Sequence, residues 1–120
     1  MVAVVSCNHF PDDERIYHKQ VKSLLNAGYG VSYFTRSDYV LDLSDRALTH
    51  ENFSTNMSLS VFIERVIHSI KLNSGIQHIQ IHETDLLPLF KKIKQFSPHI
   101  CTIYDVHENM ESLYRTFSNR

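Results

Sequence analysis

The sequence predicts an α/β fold, a Rossmann-like parallel sheet with helices on both faces. The class is predicted from short apolar runs that alternate with helical apolar stripes along the chain, and the 120 residues, 42% hydrophobic and 11% aromatic, have the composition of a folded domain. Strands that alternate with helices form right-handed crossovers and hence a parallel sheet. The length is that of one domain, and the composition argues against disorder.

The first strand and the first helix are predicted from residues 2–28. Residues 2–5 form a continuous apolar run, which is typical of a strand buried on both faces. Acidic residues at 12–14 suit the start of a helix, and Gly28 suits its end. The helix itself is predicted from four apolar residues at helical spacing: Tyr17, Val21, Leu24 and Leu25.

The middle of the chain is less regular. Residues 31–35 predict a second strand, whereas polar residues dominate 36–57, for which we predict mostly loop with at most a short strand at 39–41. A second helix is predicted as far as Leu72, because six apolar residues repeat at helical spacing: Leu59, Phe62, Ile63, Val66, Ile67 and Ile70.

The last part of the chain predicts two more strands with a helix between them. Residues 76–82 alternate between apolar and polar side chains, and residues 100–104 form the final strand. Thr84 is the expected N-cap of the third helix, and Pro88 falls in its first turn, where a missing N–H is tolerated. The predicted order is therefore β-α-β-loop-α-β-α-β.

Charge, cysteine spacing and hydropathy argue against several classes of protein. There are 12 Lys and Arg against 13 Asp and Glu, so the chain lacks the basic excess of a general nucleic-acid binder. Cys7 and Cys101 form no CxxC pair, which argues against a disulfide scaffold or a zinc ribbon. No apolar stretch approaches the ~20 residues of a membrane span. We expect a cytoplasmic domain whose Lys91-Lys92-Ile93-Lys94 run is either a solvated helix face or a peripheral contact with the inner face of the membrane.

Three segments leave the carboxyl ends of predicted strands, where parallel α/β sheets bind ligands. A histidine near a carboxylate can form hydrogen bonds or move a proton near neutral pH. A first βα turn can also hold an anion or a sugar oxygen at the helix N-terminus, and Arg15 lies close to that turn. The three segments are 7–10, 82–84 and 105–109. Each carries a histidine, in Asn8-His9, His82-Glu83 and His107-Glu108.

Each of these residues also has a plainer interpretation. The histidines could be solvated loop residues, and Arg15 could belong to an ordinary charged helix start. The ligand types would suit zinc, but no HExxH or close histidine pair occurs, so we predict no metal. The first turn lacks the glycine spacing of a dinucleotide or phosphate loop, which argues against NAD binding and P-loop hydrolysis. No resident cofactor is predicted.

Longer stretches around these segments match a known pattern. FPDDERIYHK (10–19) is followed by LLNAGY (24–29), HETDLLPL occupies 82–89, and IYDVHEN occupies 103–109. In this order they resemble the opening of family-4 (group 1) glycosyltransferases, their His-Asp/Glu-Pro-x-Leu-Leu-Pro segment and their Tyr-Asp-Val-His-Glu segment. The likeness covers nearly the whole chain and is greatest to bacterial enzymes that assemble surface polysaccharides.

The resemblance implies a GT-B architecture of two Rossmann-like domains facing a cleft. Residues 1–120 would be an incomplete N-terminal, acceptor-side domain, without the C-terminal donor domain. The implied reaction is metal-independent transfer, with retention, of a sugar from a nucleotide-sugar to a glycan or lipid-linked acceptor. The departing phosphate would take the acceptor's proton.

The resemblance also implies residue roles. His107 would hydrogen-bond the transferred sugar and support the developing oxocarbenium charge. The remaining candidates would bind substrate, with the first-turn residues on the acceptor or phosphate side: Asn8, His9, Arg15, His82, Glu83 and Glu108.

The sequence departs from the family in three places. Asn8-His9-Phe10 stands where the family often has glycine, Thr84 replaces a proline, and no Glu-x7-Glu motif occurs. We therefore expect no glycosyl transfer by this chain alone. Two alternatives stay open: a complete flavodoxin-like binding or regulatory module without enzymatic activity, and a membrane-edge scaffold that pairs with another transferase subunit.

Overall fold

The computed structural model describes residues 1–7, 14–38 and 45–105, with the backbone alone at residues 14 and 15. The strands it describes pair in parallel in one sheet of order β3-β2-β1-β4-β5. This confirms the predicted α/β, Rossmann-like fold. The strands are β1 (Val2–Ser6), β2 (Val31–Arg36), β3 (Leu48–Phe53), β4 (His78–Ile81) and β5 (Cys101–Tyr104).

β1 lies at the centre of the sheet, and all five of its residues are buried. Val2 pairs with Val31 on one side and with His78 on the other. Because successive side chains point to opposite faces, Ala3 and Val5 join one core while Val2 and Val4 join a second one. The continuous apolar run in the sequence therefore reflects helices on both faces.

Two helices cover the first face: α2 (Leu59–Leu72) and α3 (Leu87–Phe96). α2 confirms the predicted second helix and begins where Ser58 Oγ accepts a hydrogen bond from the backbone N–H of Val61. Its buried stripe is Phe62, Ile63, Val66, Ile67 and Ile70. α3 adds Leu89 and Ile93 to the same core.

The second face is covered by a π-helical segment, Glu14–Val21, that continues into a short α-helix, α1 (Lys22–Asn26). The sequence predicted a single α-helix here. The wider π-helical turn places Ile16 and Val21, five residues apart, against the same core, and both are fully buried. Gly28 ends α1 with φ of 91°, a conformation that favours glycine, as predicted.

Two further predictions about local structure are wrong. Residues 48–53 form the strand β3 and not a loop, because an edge strand can pair through its backbone while its polar side chains stay half exposed. Thr84 does not cap the third helix: Thr84–Leu86 is a 3₁₀ turn without a side-chain cap, and α3 begins at Leu87. The predictions at residues 12–13 and 39–41 lie outside the described residues.

Among the described residues, no helix combines the length and the hydropathy that crossing a membrane requires.

Candidate functional site

The carboxyl ends of β1, β4 and β5 lie side by side, because these three parallel strands are neighbours in the sheet. The three predicted segments begin at this edge, after Ser6, Ile81 and Tyr104. His82, Glu83 and the start of each outer segment are described. The other predicted site residues lie outside the described residues or, for Arg15, have no described side chain: Asn8, His9, Arg15, His107 and Glu108.

Glu83 joins the ends of β4 and β1. Ser6 Oγ donates to Glu83 Oε1 at 2.7 Å, and the backbone N–H of Cys7 donates to Glu83 Oε2 at 3.2 Å. The Glu83 side chain is only 1% exposed. Since a buried carboxyl group is costly unless it is hydrogen-bonded, these bonds hold the point at which the chain leaves β1.

The thiol of Cys7 lies at the same point and is 2% exposed. Burial, and then the nearby carboxylate of Glu83, raise its pKa to about 12, although Arg36 acts in the opposite direction. The thiolate is the nucleophilic form of cysteine, so Cys7 is inert near neutral pH. Its place is in the hydrophobic core, as predicted for a cysteine at the end of an apolar strand.

A second network joins β4, β5 and the π-helical segment. Gln20 Nε2 donates to Asp105 Oδ2 at 3.1 Å, and Gln80 Nε2 donates to Gln20 Oε1 at 3.4 Å. Asp105 Oδ2 also lies 3.7 Å from Nδ1 of His82, whose side chain is fully buried. The network fixes the point at which the chain leaves β5, two residues before His107.

Arg36 brings a cation to this edge at the end of β2. Its Nη1 donates to the backbone carbonyl of Met57 at 3.2 Å, immediately before the capping residue of α2. Its Nε is buried and has no hydrogen-bond partner among the described residues. The guanidinium is therefore held beside the edge through Nη1.

Among the described residues, these contacts join the ends of β1, β4 and β5 to one another and to the π-helical segment. His82 and Glu83 were predicted to bind substrate, and the structure buries both side chains, with 0% and 1% exposure: Glu83 is hydrogen-bonded to Ser6 and Cys7, and His82 lies 3.7 Å from Asp105. Substrate binding by these two residues stays a prediction. Within the described part of the chain, no group of three or more His, Cys, Asp or Glu side chains is arranged to hold a metal ion.

Four residues of the edge escaped prediction as site residues: Ser6, Gln20, Arg36 and Asp105. Ser6 and Arg36 carry a signal that could have found them, because each is a polar residue that ends a buried strand. Gln20 gives no such signal, since its place depends on the π-helical turn that the sequence pattern did not indicate.

The fold and its polar carboxyl edge define an α/β protein of the Rossmann type. Scans against protein-family models, curated proteins and solved structures gave no match to this chain.

Proposed function

We propose that this chain forms the acceptor-side domain of a retaining, family-4-like glycosyltransferase of the GT-B type. The whole enzyme would move a sugar from a nucleotide-sugar to a glycan or lipid-linked acceptor in bacterial surface polysaccharide synthesis. The observation that carries the proposal is the convergence of the three motif-bearing segments on one sheet edge, where Glu83 and Asp105 connect them to their neighbours.

The strand order favours this proposal over the flavodoxin-like alternative. Flavodoxin-like sheets have the order 2-1-3-4-5, whereas Rossmann-type sheets have the order 3-2-1-4-5. The sheet of this chain has the second order. A Rossmann-type half-domain is what the GT-B architecture requires.

Within this proposal Glu83 and Asp105 act by positioning. Glu83 holds the backbone of Cys7, so it sets the start of the turn that carries Asn8 and His9. Asp105 is held by Gln20, which sets the start of the segment that carries His107 and Glu108. His107 would support positive charge on the transferred sugar by hydrogen bonding, and the leaving phosphate would accept the proton of the acceptor.

Arg36 extends the site beyond the predicted residues. The side chain of Arg36 is half-buried and can bring a positive charge to a phosphate oxygen, and the N-terminus of α2 lies next to it. We assign Arg36 to the phosphate-bearing side of an acceptor or donor. For the location we propose the cytoplasm, with peripheral contact at the inner face of the membrane, where lipid-linked acceptors are found.

The proposal is tested by nuclear magnetic resonance on the ¹⁵N-labelled 120-residue chain, titrated with a panel of alkyl glycosides and polyprenyl-phosphate analogues. The expected result is a cluster of amide shifts around Cys7, Glu83 and Asp105, with none at Gly30 or Gln77 at the opposite edge. His107→Ala should weaken binding about fivefold, the worth of one lost hydrogen bond. His68→Ala, a change of an exposed histidine on α2, is the matched control.

Two results would contradict the proposal in different ways. Saturable FMN binding at the edge, with no response to any glycoside, would favour the binding-module alternative. Sugar transfer from any nucleotide-sugar by the 120-residue chain alone would show that no separate donor domain is needed.

A further inference from the structure

The outward surface of α2 and α3 carries a charge opposite to that of the rest of the chain. These two helices hold five cations and one carboxylate, a net charge of +4, whereas the whole chain has a net charge of −1. The remaining residues therefore carry −5. All five cations are exposed: Arg65, Lys71, Lys91, Lys92 and Lys94. Such segregation creates a positive field over one side of the protein.

The same surface exposes apolar side chains between the cations. Of the seven large hydrophobic residues that are exposed in the described part of the chain, four belong to these two helices. Leu72 is 76% exposed, which is the highest value of the seven. The four residues are Val61, Leu72, Leu87 and Phe96. We call these four residues and the five cations the α2–α3 outer surface.

One cation of this surface lies against an apolar side chain, and another is paired with a carboxylate. The ammonium group of Lys71 lies 4.9 Å from the centre of the Phe96 ring, and Lys92 forms an ion pair with Glu64. This ion pair lowers the pKa of Glu64, which is the one carboxylate of the two helices. A groove of about 290 Å³ between the helices is lined by Lys71, Lys92 and Glu64, so a phosphate group placed there would meet two cations, one of them already paired with a carboxylate.

We infer that the α2–α3 outer surface docks on an anionic lipid bilayer. Basic residues are attracted to the negative surface of anionic membranes, and exposed apolar side chains between them can enter the headgroup region. A soluble polyanion would satisfy the cations but would leave Val61, Leu72, Leu87 and Phe96 in water. The inference deepens the location given under the proposed function, and it does not depend on glycosyl transfer.

Docking by these helices leaves the carboxyl edge accessible. α2 and α3 lie flat on one face of the sheet, and the candidate site lies at the ends of the strands. A bilayer beneath the helices would therefore sit beside the site and would not cover it. This geometry suits an acceptor whose lipid anchor stays in the membrane.

The test is co-sedimentation of the purified 120-residue chain with vesicles of phosphatidylcholine, with and without an equal part of phosphatidylglycerol. Binding is expected only with the anionic lipid, and it should fall when salt is raised from about 50 to about 500 mM, because salt screens the attraction. Arg65→Glu with Lys91→Glu should lower the partition coefficient about tenfold or more. Neither residue makes a hydrogen bond or ion pair within the described ranges, so the fold should survive, as circular dichroism can verify.

The matched control is Lys19→Glu with Arg46→Glu, which changes the net charge equally at exposed residues outside α2 and α3. This variant should bind within about twofold of the unmodified chain, because its cations lie away from the docking surface. Leu72→Ser should weaken binding without changing its salt dependence. Equal losses in both charge variants would overturn the inference, as would an unmodified chain that binds heparin but no vesicle. Since no sugar is present, these outcomes leave the proposed glycosyl transfer untouched.

Discussion

Polar groups serve opposite purposes at the carboxyl edge and on the α2–α3 outer surface. At the edge, Glu83 and His82 are buried and engaged with neighbouring strands. On the outer surface, cations such as Lys91 and Arg65 face solvent. A buried polar group stabilises a defined geometry and is costly to leave without its partner, whereas an exposed charge contributes little alone and acts through the summed field. The edge is therefore sensitive to single changes, and the surface to changes of net charge.

The largest contrast is expected between the two cysteines. Cys7 is buried at the edge with a pKa raised to about 12, whereas Cys101 is exposed on β5. At pH 8 the Cys7 thiol should react with iodoacetamide at least about a thousandfold more slowly than Cys101, because so little of it is thiolate. Mass spectrometry of tryptic peptides over time measures both rates. In urea the two rates should converge, and equal rates in the folded protein would refute the burial of Cys7.

The second contrast is between two glutamates. Glu83→Ala removes the acceptor for Ser6 Oγ and for the backbone N–H of Cys7, so it should lower the free energy of unfolding by about 3 kcal/mol. Glu83→Gln keeps one carbonyl oxygen and should cost about 1 kcal/mol. Urea unfolding followed by circular dichroism measures both changes.

Glu64→Ala is the matched control, because Glu64 is exposed and pairs only at the surface with Lys92. Its urea midpoint should equal that of the unmodified chain. If Glu83→Ala were equally harmless, the buried bonds of the edge would have no structural role.

The third contrast concerns two glutamines. Gln20→Ala breaks the bridge between Gln80 and Asp105 and should cost about 1 kcal/mol, as for one partly buried hydrogen-bonded group. Gln95→Ala, on the exposed side of α3, should change stability by less than about 0.5 kcal/mol. In a double-mutant cycle, Gln20→Ala and Asp105→Ala should be non-additive, and additive effects would show that the two side chains do not interact.

The spacing of apolar residues along the chain made most of the fold predictable. The run at residues 2–5 indicated a strand between two cores, and the stripe from Leu59 to Ile70 predicted α2 within its observed bounds. β3 escaped because an edge strand is held by backbone pairing, which leaves no apolar alternation in LTHENF. The π-helical segment escaped because Tyr17 and Val21, four residues apart, also fit an α-helical stripe and so conceal the wider turn.

The sequence predicted where the candidate site lies, but not which of its side chains are bonded to each other. The strand-end rule located His82-Glu83, and it located the segments after β1 and β5. It could not show that Glu83 is hydrogen-bonded to Ser6 and Cys7. These two residues precede Glu83 by 77 and 76 positions and meet it only through the β1–β4 pairing. Likewise, Arg36 gained its place beside the edge from the β2–β3 pairing and the start of α2.

The smallest expected effect is on the pH dependence of stability, and it distinguishes the half-buried His50 of the sheet from the exposed His68 of α2. Thr35 Oγ1 donates to Asn52 Oδ1 at 2.7 Å and lies 2.8 Å from His50 Nε2, so it can accept a hydrogen bond from that nitrogen. Burial lowers the pKa of His50 below its ordinary value of 6.5. The unfolded chain therefore takes up a proton at a higher pH than the folded chain does. Stability should fall as the pH drops below about 6.5, where the unfolded state binds more protons.

His50→Gln should remove this part of the pH dependence, whereas His68→Gln, on the exposed side of α2, should leave it unchanged. Urea midpoints at about pH 7.5 and about pH 5.5 measure the difference, since the two values lie on either side of the ordinary histidine pKa. The comparison is between slopes, so a general loss of stability in His50→Gln does not affect it. If both variants kept the slope of the unmodified chain, the cost of protonating His50 in the folded state would be negligible. The sheet would then tolerate a charge beside β2 as readily as the outer surface does.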